Sequence, residues 1–395
     1  MGSKNVDRLS NMPEEILSEI LSLMPTKYAV QTSILSKRWR YNWTLVTNID
    51  INVHPFHGLL NCCAFVDRVL DLCKTTEIKL FRLRFSNLWV QKSRLTKWID
   101  EAVRLNVREL DIQSGLLKLP LSLLTCKTLT KLTIESNNSC DGLDRQTPFN
   151  LPCLKTIDIT VFGIGSRNAL KLIRGCPVLE SFSLQMIHCS EEEECRFDIA
   201  TLKHLKLKTW KWGSFKKVVL NVPNLEDLTI GGRWGSPFVM EDLSSLVSLK
   251  DLPDEPLLNM PNLKHLELTD DGYKFEQIII FKFLESCSEL EHLSIKTAQV
   301  CWTNEPDSCW FKPHLVLLKT LRTMKYENCK WRKDDIKFLE YMLRNAEVLK
   351  TLTITYKSER MEEEMRLCAK LLKCPRASRY CEIHFVGKSF ESASS

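Results

Sequence analysis

At 395 residues, with 44% hydrophobic and 26% charged side chains and a formal net charge of +6, the chain has the composition of a soluble globular protein of two or three domains. So small a surplus over this length gives no argument for a nucleic-acid partner. No apolar run reaches the roughly 18 residues needed to span a bilayer, so no membrane partner is expected. The opening MGSKNVDRLS holds no apolar signal core, and Val6 breaks the myristoylation pattern. The expected location is therefore intracellular, in nucleus and/or cytoplasm. Sixteen cysteines occur without one C-x-x-C pair, which leaves zinc ribbons and thioredoxin-like sites without support.

The first predicted element is a helical pair. Asn11 can cap a helix, Pro13 suits its first turn, and Glu14 and Glu15 sit where the helix dipole favours negative charge. Ile16, Leu17, Ile20, Leu21 and Met24 form an apolar stripe at helical spacing. Pro25 ends that helix, and Thr26 can cap a second one holding Ala29, Val30, Ile34 and Leu35. A basic, aromatic finish follows at Lys37, Arg38, Trp39, Arg40 and Trp43. About 35 residues cannot bury a core alone, so this segment needs the rest of the chain, a partner, or both.

The order Met12-Pro13, Ile16 to Leu21, Met24-Pro25-Thr26-Lys27-Tyr28-Ala29-Val30 and Thr32-Ser33-Ile34-Leu35-Ser36-Lys37-Arg38-Trp39 resembles an F-box. Met12 and Met24 stand where the family has Leu, a change that keeps volume and polarity; Tyr28 replaces a usual Asp. The resemblance implies docking onto a Skp-type adaptor and, through it, a cullin. Pro13, Ile16, Leu17, Ile20, Leu21, Ile34, Leu35 and Trp39 are the residues expected to touch the adaptor or shape that surface.

Behind this segment L-x-x-L-x-[LI] recurs, from Leu80-Leu83-Phe85 and Val107-Leu110-Ile112 through Leu129-Leu132-Ile134 to Leu349-Leu352-Ile354, with most starts 22 to 31 residues apart. That is leucine-rich-repeat spacing. The last two apolar positions of each motif alternate as one buried face of a strand. Cys126, Cys176 and Cys287 fall in register before their motifs, where a thiol serves as a small core hydrophobe. Helices are expected at Arg94 to Asn106, Ser166 to Arg174 and Gln277 to Cys287. Gly231 to Met260 breaks the spacing and reads as one degenerate repeat or an inserted loop. Stacked strand-plus-helix units bury their apolar faces only against their neighbours.

The array is similar to the plant F-box proteins with leucine-rich repeats. Its final quarter resembles their FBD segment, on Cys309-Trp310, Pro313, Leu318-Lys319, Tyr326, Tyr341 to Ala346, Leu349-Lys350, Leu372, Pro375 to Ser378, Cys381 and Ile383-His384-Phe385. A glycine usual shortly after the tyrosine is absent, since Tyr326 is followed by Glu327-Asn328-Cys329-Lys330.

Residues between the buried strand positions are expected to line a concave face. Lys131, Glu135, His204, Lys206, Lys208, Asp227, His265, Glu267, His292 and Lys296 are the candidates there for contact with a target. Over all such positions basic and acidic residues tie at seven each. That balance disfavours nucleic acid, whose groove is lopsidedly basic, and suits a protein target. His204, Lys206, Lys208, Lys211, Lys216 and Lys217, with Trp210 and Trp212 between them, form a local basic, aromatic cluster suited to a phosphorylated segment or an anionic small molecule.

Enzyme chemistry finds no support. Phe162 to Asn168 imitates the start of a dinucleotide fingerprint, but Asn168 stands at the third glycine. No P-loop, nucleophile elbow or H-E-x-x-H motif occurs. No catalytic residue, metal or cofactor is therefore assigned. The expected fold is α/β: a helical F-box over 7–53, a helical linker and first repeat over 54–106, a leucine-rich-repeat solenoid over 107–300 with a curved parallel sheet and outer helices, an FBD segment over 301–386 continuing the repeats, and a disordered tail over 387–395. The expected function is target recognition within a Skp-cullin-F-box ubiquitin ligase. The alternatives are a non-degradative scaffold and a small-molecule receptor using the concave face.

Overall fold

The computed structural model describes residues 12–85, 88, 90–115, 119–136, 149–161, 173, 175–186, 189–190, 194–209, 213–214, 217–232, 238–250, 260, 262–269, 284, 287–297, 318–357 and 361–388. The chain forms two compact units, residues 1–192 with 209–214, and residues 193–208 with 215–395.

The first unit opens with helices α1 (Glu14–Ser22) and α2 (Thr26–Gln31), then 3-10 turns at Thr32–Ile34 and Asn42–Leu45. Strand β1 (Asn48–Asn52) starts a parallel sheet. Helix α3 (Leu59–Leu72) leads to β2 (Leu80–Arg84), and α4 (Lys92–Arg104) leads to β3 (Glu109–Ser114). The short α5 (Leu121–Leu124) precedes β4 (Lys131–Ser136), followed by β5 (Thr156–Val161) and β6 (Ser181–Met186). Each strand pairs in parallel with the next in chain order. Parallel neighbours need a crossover connection, which α3 and α4 supply. Leu95, Trp98, Ile99 and Ala102 of α4 are buried at helical spacing. The Trp98 ring stacks on Phe85 at 5.8 Å, and its Nε1 donates to Asp67 Oδ1 at 2.6 Å. A two-residue β7 (Cys189–Ser190) pairs with β10 (Gly213–Ser214).

The second unit holds β8 (Glu194–Asp198), β9 (His204–Thr209), β11 (Lys217–Asn221), β12 (Asp227–Gly231), β13 (Phe238–Asp242), β14 (Ser248–Lys250), β15 (His265–Thr269) and β16 (His292–Lys296). It continues with β17 (Thr323–Cys329), α6 (Lys333–Asn345), β18 (Thr351–Lys357), α7 (Met361–Leu372) and β19 (Glu382–Lys388). The order β9-β12-β14-β15-β16-β17-β18-β19 is again parallel. Strands β8, β11 and β13 form a separate parallel sheet. Each precedes a main-sheet strand in the chain, so these connections are extended rather than helical. Buried Cys195 and Phe197 on β8 and Phe238 and Met240 on β13 alternate at period two, and Val218, Val219 and Leu220 are buried in succession on the middle strand β11; β-branched and aromatic residues such as these prefer a pleated surface.

The α/β class and the parallel repeat sheet agree with the sequence reading; several details do not. The first motif is out of phase. Ile78, Phe81, Leu83 and Phe85 are buried, whereas Leu80 pairs with Glu109 on the open side. Leucine and isoleucine two apart satisfy a period-two pattern equally, and only backbone pairing separates them. Strand β1 was not anticipated, although Val46-x-x-Ile49-x-Ile51 carries the motif and all three are buried. The irregular stretch holds a degenerate repeat on Leu246-x-x-Leu249, whose strand β14 pairs with β12 on one side and β15 on the other. Strand β19 and the β8-β11-β13 sheet were also unforeseen. Cys126, Cys176 and Cys287 are buried, and burial pushes the Cys176 and Cys287 thiols up to about 12. Asn11, the helices expected at Ser166 to Arg174 and Gln277 to Cys287 (apart from Ile173, Leu284 and Cys287), the Phe162 to Asn168 loop, Lys211, Lys216, Trp210, Trp212 and Cys309 to Pro313 lie outside the described residues.

The absent glycine after Tyr326 has a structural substitute. Asn328 takes φ 59°, a left-handed conformation that asparagine tolerates better than most residues. The β17 strand bulges there, between the pairs Tyr326–Ile354 and Cys329–Tyr356. The Asn328 amide donates to Thr355 Oγ1 at 3.2 Å, its Nδ2 donates to the Thr297 carbonyl at 3.2 Å, and its own carbonyl accepts from Thr297 Oγ1 at 2.7 Å.

Candidate functional site

Two surfaces carry the sequence-predicted residues. On α1 the broad apolar stripe divides into two arcs. Leu17 and Leu21, one turn apart, face inward at 0% and 1% exposure. Ile16, Ile20 and Leu23 lie on an adjoining face; Ile16 is 43% exposed, Leu23 84%, and Ile20 half-buried. Beyond α2, Ile34 and Leu35 stand 85% and 66% exposed, and Pro13 is exposed as the residue preceding α1. Trp39 and Trp43 are buried. The eight residues predicted for adaptor docking thus separate: Leu17, Leu21 and Trp39 belong to the core that shapes the module, and Pro13, Ile16, Ile20, Ile34 and Leu35 keep surface of their own. Helical spacing marks one apolar stripe and says nothing of how much of it the chain's own residues cover.

Hydroxyl groups fasten this module to the sheet edge. Ser18 Oγ donates to the Leu45 carbonyl at 2.8 Å, and Ser22 Oγ accepts from the Thr47 amide at 3.0 Å. Thr26 Oγ1 accepts from the Asp50 amide of β1 at 2.8 Å. Thr26 therefore does not cap α2 with its side chain, as the sequence suggested; Pro25 is the N-cap and makes no side-chain bond. Arg38 Nη2 donates to the Met12 carbonyl and Lys27 Nζ to that of Pro55, closing both ends of the module.

The second surface is the open face of the sheets, where buried and part-exposed positions alternate along β3, β4, β5, β6 and β9 as predicted. In the first unit Arg82 bridges Asp111 at 2.7 Å and Asp50 at 3.3 Å, across three adjacent strands. Lys131 is exposed and Glu135 accepts from Gln113 Nε2 at 3.0 Å. In the second unit His204, Asp227, Ser248, His265, His292 and Thr323 occupy one register row. His204 Nδ1 lies 2.7 Å from Asp227 Oδ2, and His292 Nδ1 lies 2.7 Å from Thr323 Oγ1. The His265 and His292 rings stack at 4.5 Å with 4° between planes. Lys250 pairs with Glu267 at 2.8 Å and Lys325 with Glu327 at 2.5 Å. Lys206, Lys208 and Lys296 stand beside them, with no carboxylate at ion-pairing distance among the described residues.

The even charge balance read from the sequence conceals a division between the units. The first unit's open face carries Asp50, Glu109, Asp111, Glu135 and Asp158 against Arg82, Arg84 and Lys131. From β9 to β17 the second carries Lys206, Lys208, Lys250, Lys296 and Lys325 against Asp227, Glu267 and Glu327. Asp50 and Lys250 were missed because their strands were missed. Among the described residues no group of three His, Cys, Asp or Glu side chains is placed to hold a metal ion, and no helix is long and apolar enough to cross a membrane.

A parallel leucine-rich-repeat array whose first edge is covered by a small helical module with outward apolar side chains defines a class: repeat proteins headed by a helical module. Family models match at three places, the F-box domain at residues 9–47, the repeats of the FBD-associated F-box protein At5g56370 at 95–244, and FBD at 316–354. The F-box/FBD/LRR-repeat protein At1g78750 of Arabidopsis thaliana is 26% identical over 97% of this chain and 97% of its own length. The FBD-associated F-box protein At4g10400 of the same plant is 28% identical over 96% of this chain and 100% of its own. The F-box/LRR-repeat protein At3g59200, also of Arabidopsis thaliana, is 34% identical over 61% of this chain and 49% of its own. The chain belongs with the F-box/FBD/leucine-rich-repeat proteins of plants.

Proposed function

We propose that this chain is the target-recognition subunit of a Skp-cullin-F-box ubiquitin ligase and performs no covalent step itself. The observation that carries the reading is the outward apolar set Ile16, Leu23, Ile34 and Leu35 on an otherwise well-packed module. Exposed aliphatics grouped on a short segment mark a surface that another protein covers. In an F-box that partner is a Skp-type adaptor, which links to a cullin. Tethering then raises the effective concentration of the target's lysines near the charged conjugating enzyme. The open faces of the repeats hold the target protein, with Lys131, Glu135, His204, Lys206, Lys208, Asp227, His265, Glu267, His292 and Lys296 as the contact candidates, and the protein acts inside the cell.

Co-purification with a Skp-type adaptor tests the adaptor surface. Ile34→Asp with Leu35→Asp places two charges where a dry interface excludes them and leaves the core intact, so adaptor is lost while the thermal midpoint stays. Leu17→Asp instead buries a charge in the module's core and lowers stability as well. Adaptor retained by the Ile34→Asp/Leu35→Asp protein would overturn the assignment of this surface.

A further inference from the structure

We infer that the open face of the second unit is a docking site for an acidic peptide segment, laid across β9 to β16 and ending on the stacked His265–His292 pair. The inference rests on the reading of the open faces as the target-binding surface, and it specifies the chemistry of what binds there. The carboxylates on this stretch are already engaged: Asp227 with His204 at 2.7 Å and Glu267 with Lys250 at 2.8 Å. Lys206, Lys208 and Lys296 retain their charge without a carboxylate partner among the described residues. Gly231 has no side chain, and the Lys208 stem occupies the space beside it, since a Cβ built there would meet Lys208 carbons at 3.1 Å. That lysine therefore lies over β12, the strand next to its own.

Neighbouring strands stand about 4.8 Å apart, so β9 and β16 are separated by about 19 Å, the reach of about six extended residues. A nucleic-acid strand is the less suited occupant, because Asp227 and Glu267 sit among the lysines where a phosphate backbone would pass. The His265–His292 pair adds a dependence on protonation. Two stacked imidazoles disfavour a second positive charge, and burial first, then His292, holds His265 below the ordinary histidine value. Asp227 and Glu291 act on it in the opposite sense, and Lys264 in the same sense. Lys250, Glu267 and Lys296 on the adjoining positions complete the charged surroundings. An anionic peptide favours the protonated ring, so affinity rises as pH falls through the histidine range.

Fluorescence anisotropy of the full chain with a fluorescein-labelled deca-glutamate probe tests this, with a deca-lysine peptide and a short single-stranded oligonucleotide as comparisons. The expected result is deca-glutamate binding that strengthens about tenfold between about pH 8 and about pH 6. His265→Asn with His292→Asn flattens that dependence. Lys206→Gln with Lys208→Gln and Lys296→Gln weakens binding about tenfold at either pH. Lys97→Gln, on the exposed side of α4 in the first unit, leaves it unchanged. Tighter binding of the oligonucleotide, an undiminished pH dependence in the double histidine variant, or no deca-glutamate binding by the unaltered chain would each overturn the inference. Adaptor co-purification in the same samples separates the two claims. The lysine variants keep the adaptor, and Ile34→Asp/Leu35→Asp keeps the peptide.

Discussion

Asn328 shows how one side chain can stand in for the expected glycine. Its φ of 59° is unfavourable for most residues, and three hydrogen bonds tie it to Thr297 and Thr355. Asn328→Gly therefore stays within a few tenths of a kcal/mol of the parent, whereas Asn328→Ala loses about 1–2 kcal/mol of unfolding free energy in urea titration. The cysteines make a second residue-scale prediction. Burial raises the Cys62, Cys176 and Cys287 thiols from 9.0 to about 12, with Cys63 adding to the shift at Cys62. Above pH 9.0 the unfolded chain releases these protons while the folded one keeps them. The unfolded state then binds fewer protons, so stability falls as pH rises from 9.0 toward about 12 and is unaffected by these groups below it. Thermal midpoints over that range check the slope. Replacing Cys176 and Cys287 by Ala reduces it. Alkylation followed by peptide mapping should mark the exposed Cys153 and spare Cys62, Cys176 and Cys287 in the folded chain.

At the scale of elements, the contact between α2 and β1 has the greatest consequence. A strand at the end of a parallel sheet leaves alternate amides unpaired, and an open edge invites pairing with another chain. Thr26 Oγ1 takes the Asp50 amide, and Ser22 takes that of Thr47. Thr26→Val keeps the shape and leaves the Asp50 amide without its partner, which costs about 1–3 kcal/mol. Thr26→Ser restores most of it. Hydrogen exchange at the Asp50 amide reads the effect directly. The same geometry explains why the sequence assigned Thr26 another role: a Ser or Thr after proline at a helix start is usually an N-cap, and only the position of β1 shows that its hydroxyl points elsewhere.

At the scale of the molecule, the helical module both covers the first edge of the repeats and displays apolar side chains. A chain beginning at residue 48 loses the Thr26 and Ser22 hydroxyls and uncovers β1. Repeat arrays depend on covered ends for solubility, so this truncation should sediment as aggregates while the Ile34→Asp/Leu35→Asp chain sediments as the parent does. The division of open-face charge between the units belongs to the same scale. No count over the sequence reveals it, because Asp50 and Lys250 enter the face only when β1 and β14 are recognised as strands.

The sequence by itself determined the repeat architecture, the alternation that separates core from open face, and the family. Each is written in local spacing: two for strands, 3.6 for helices, and a run of some 35 ordered positions at the N-terminus. The tertiary structure alone decided which half of the α1 stripe is core, that Ile78 rather than Leu80 leads the first motif, that Thr26 serves β1, and that His265 and His292 stack. Those facts depend on which distant residues arrive as neighbours, and a period in the sequence carries no record of its partner.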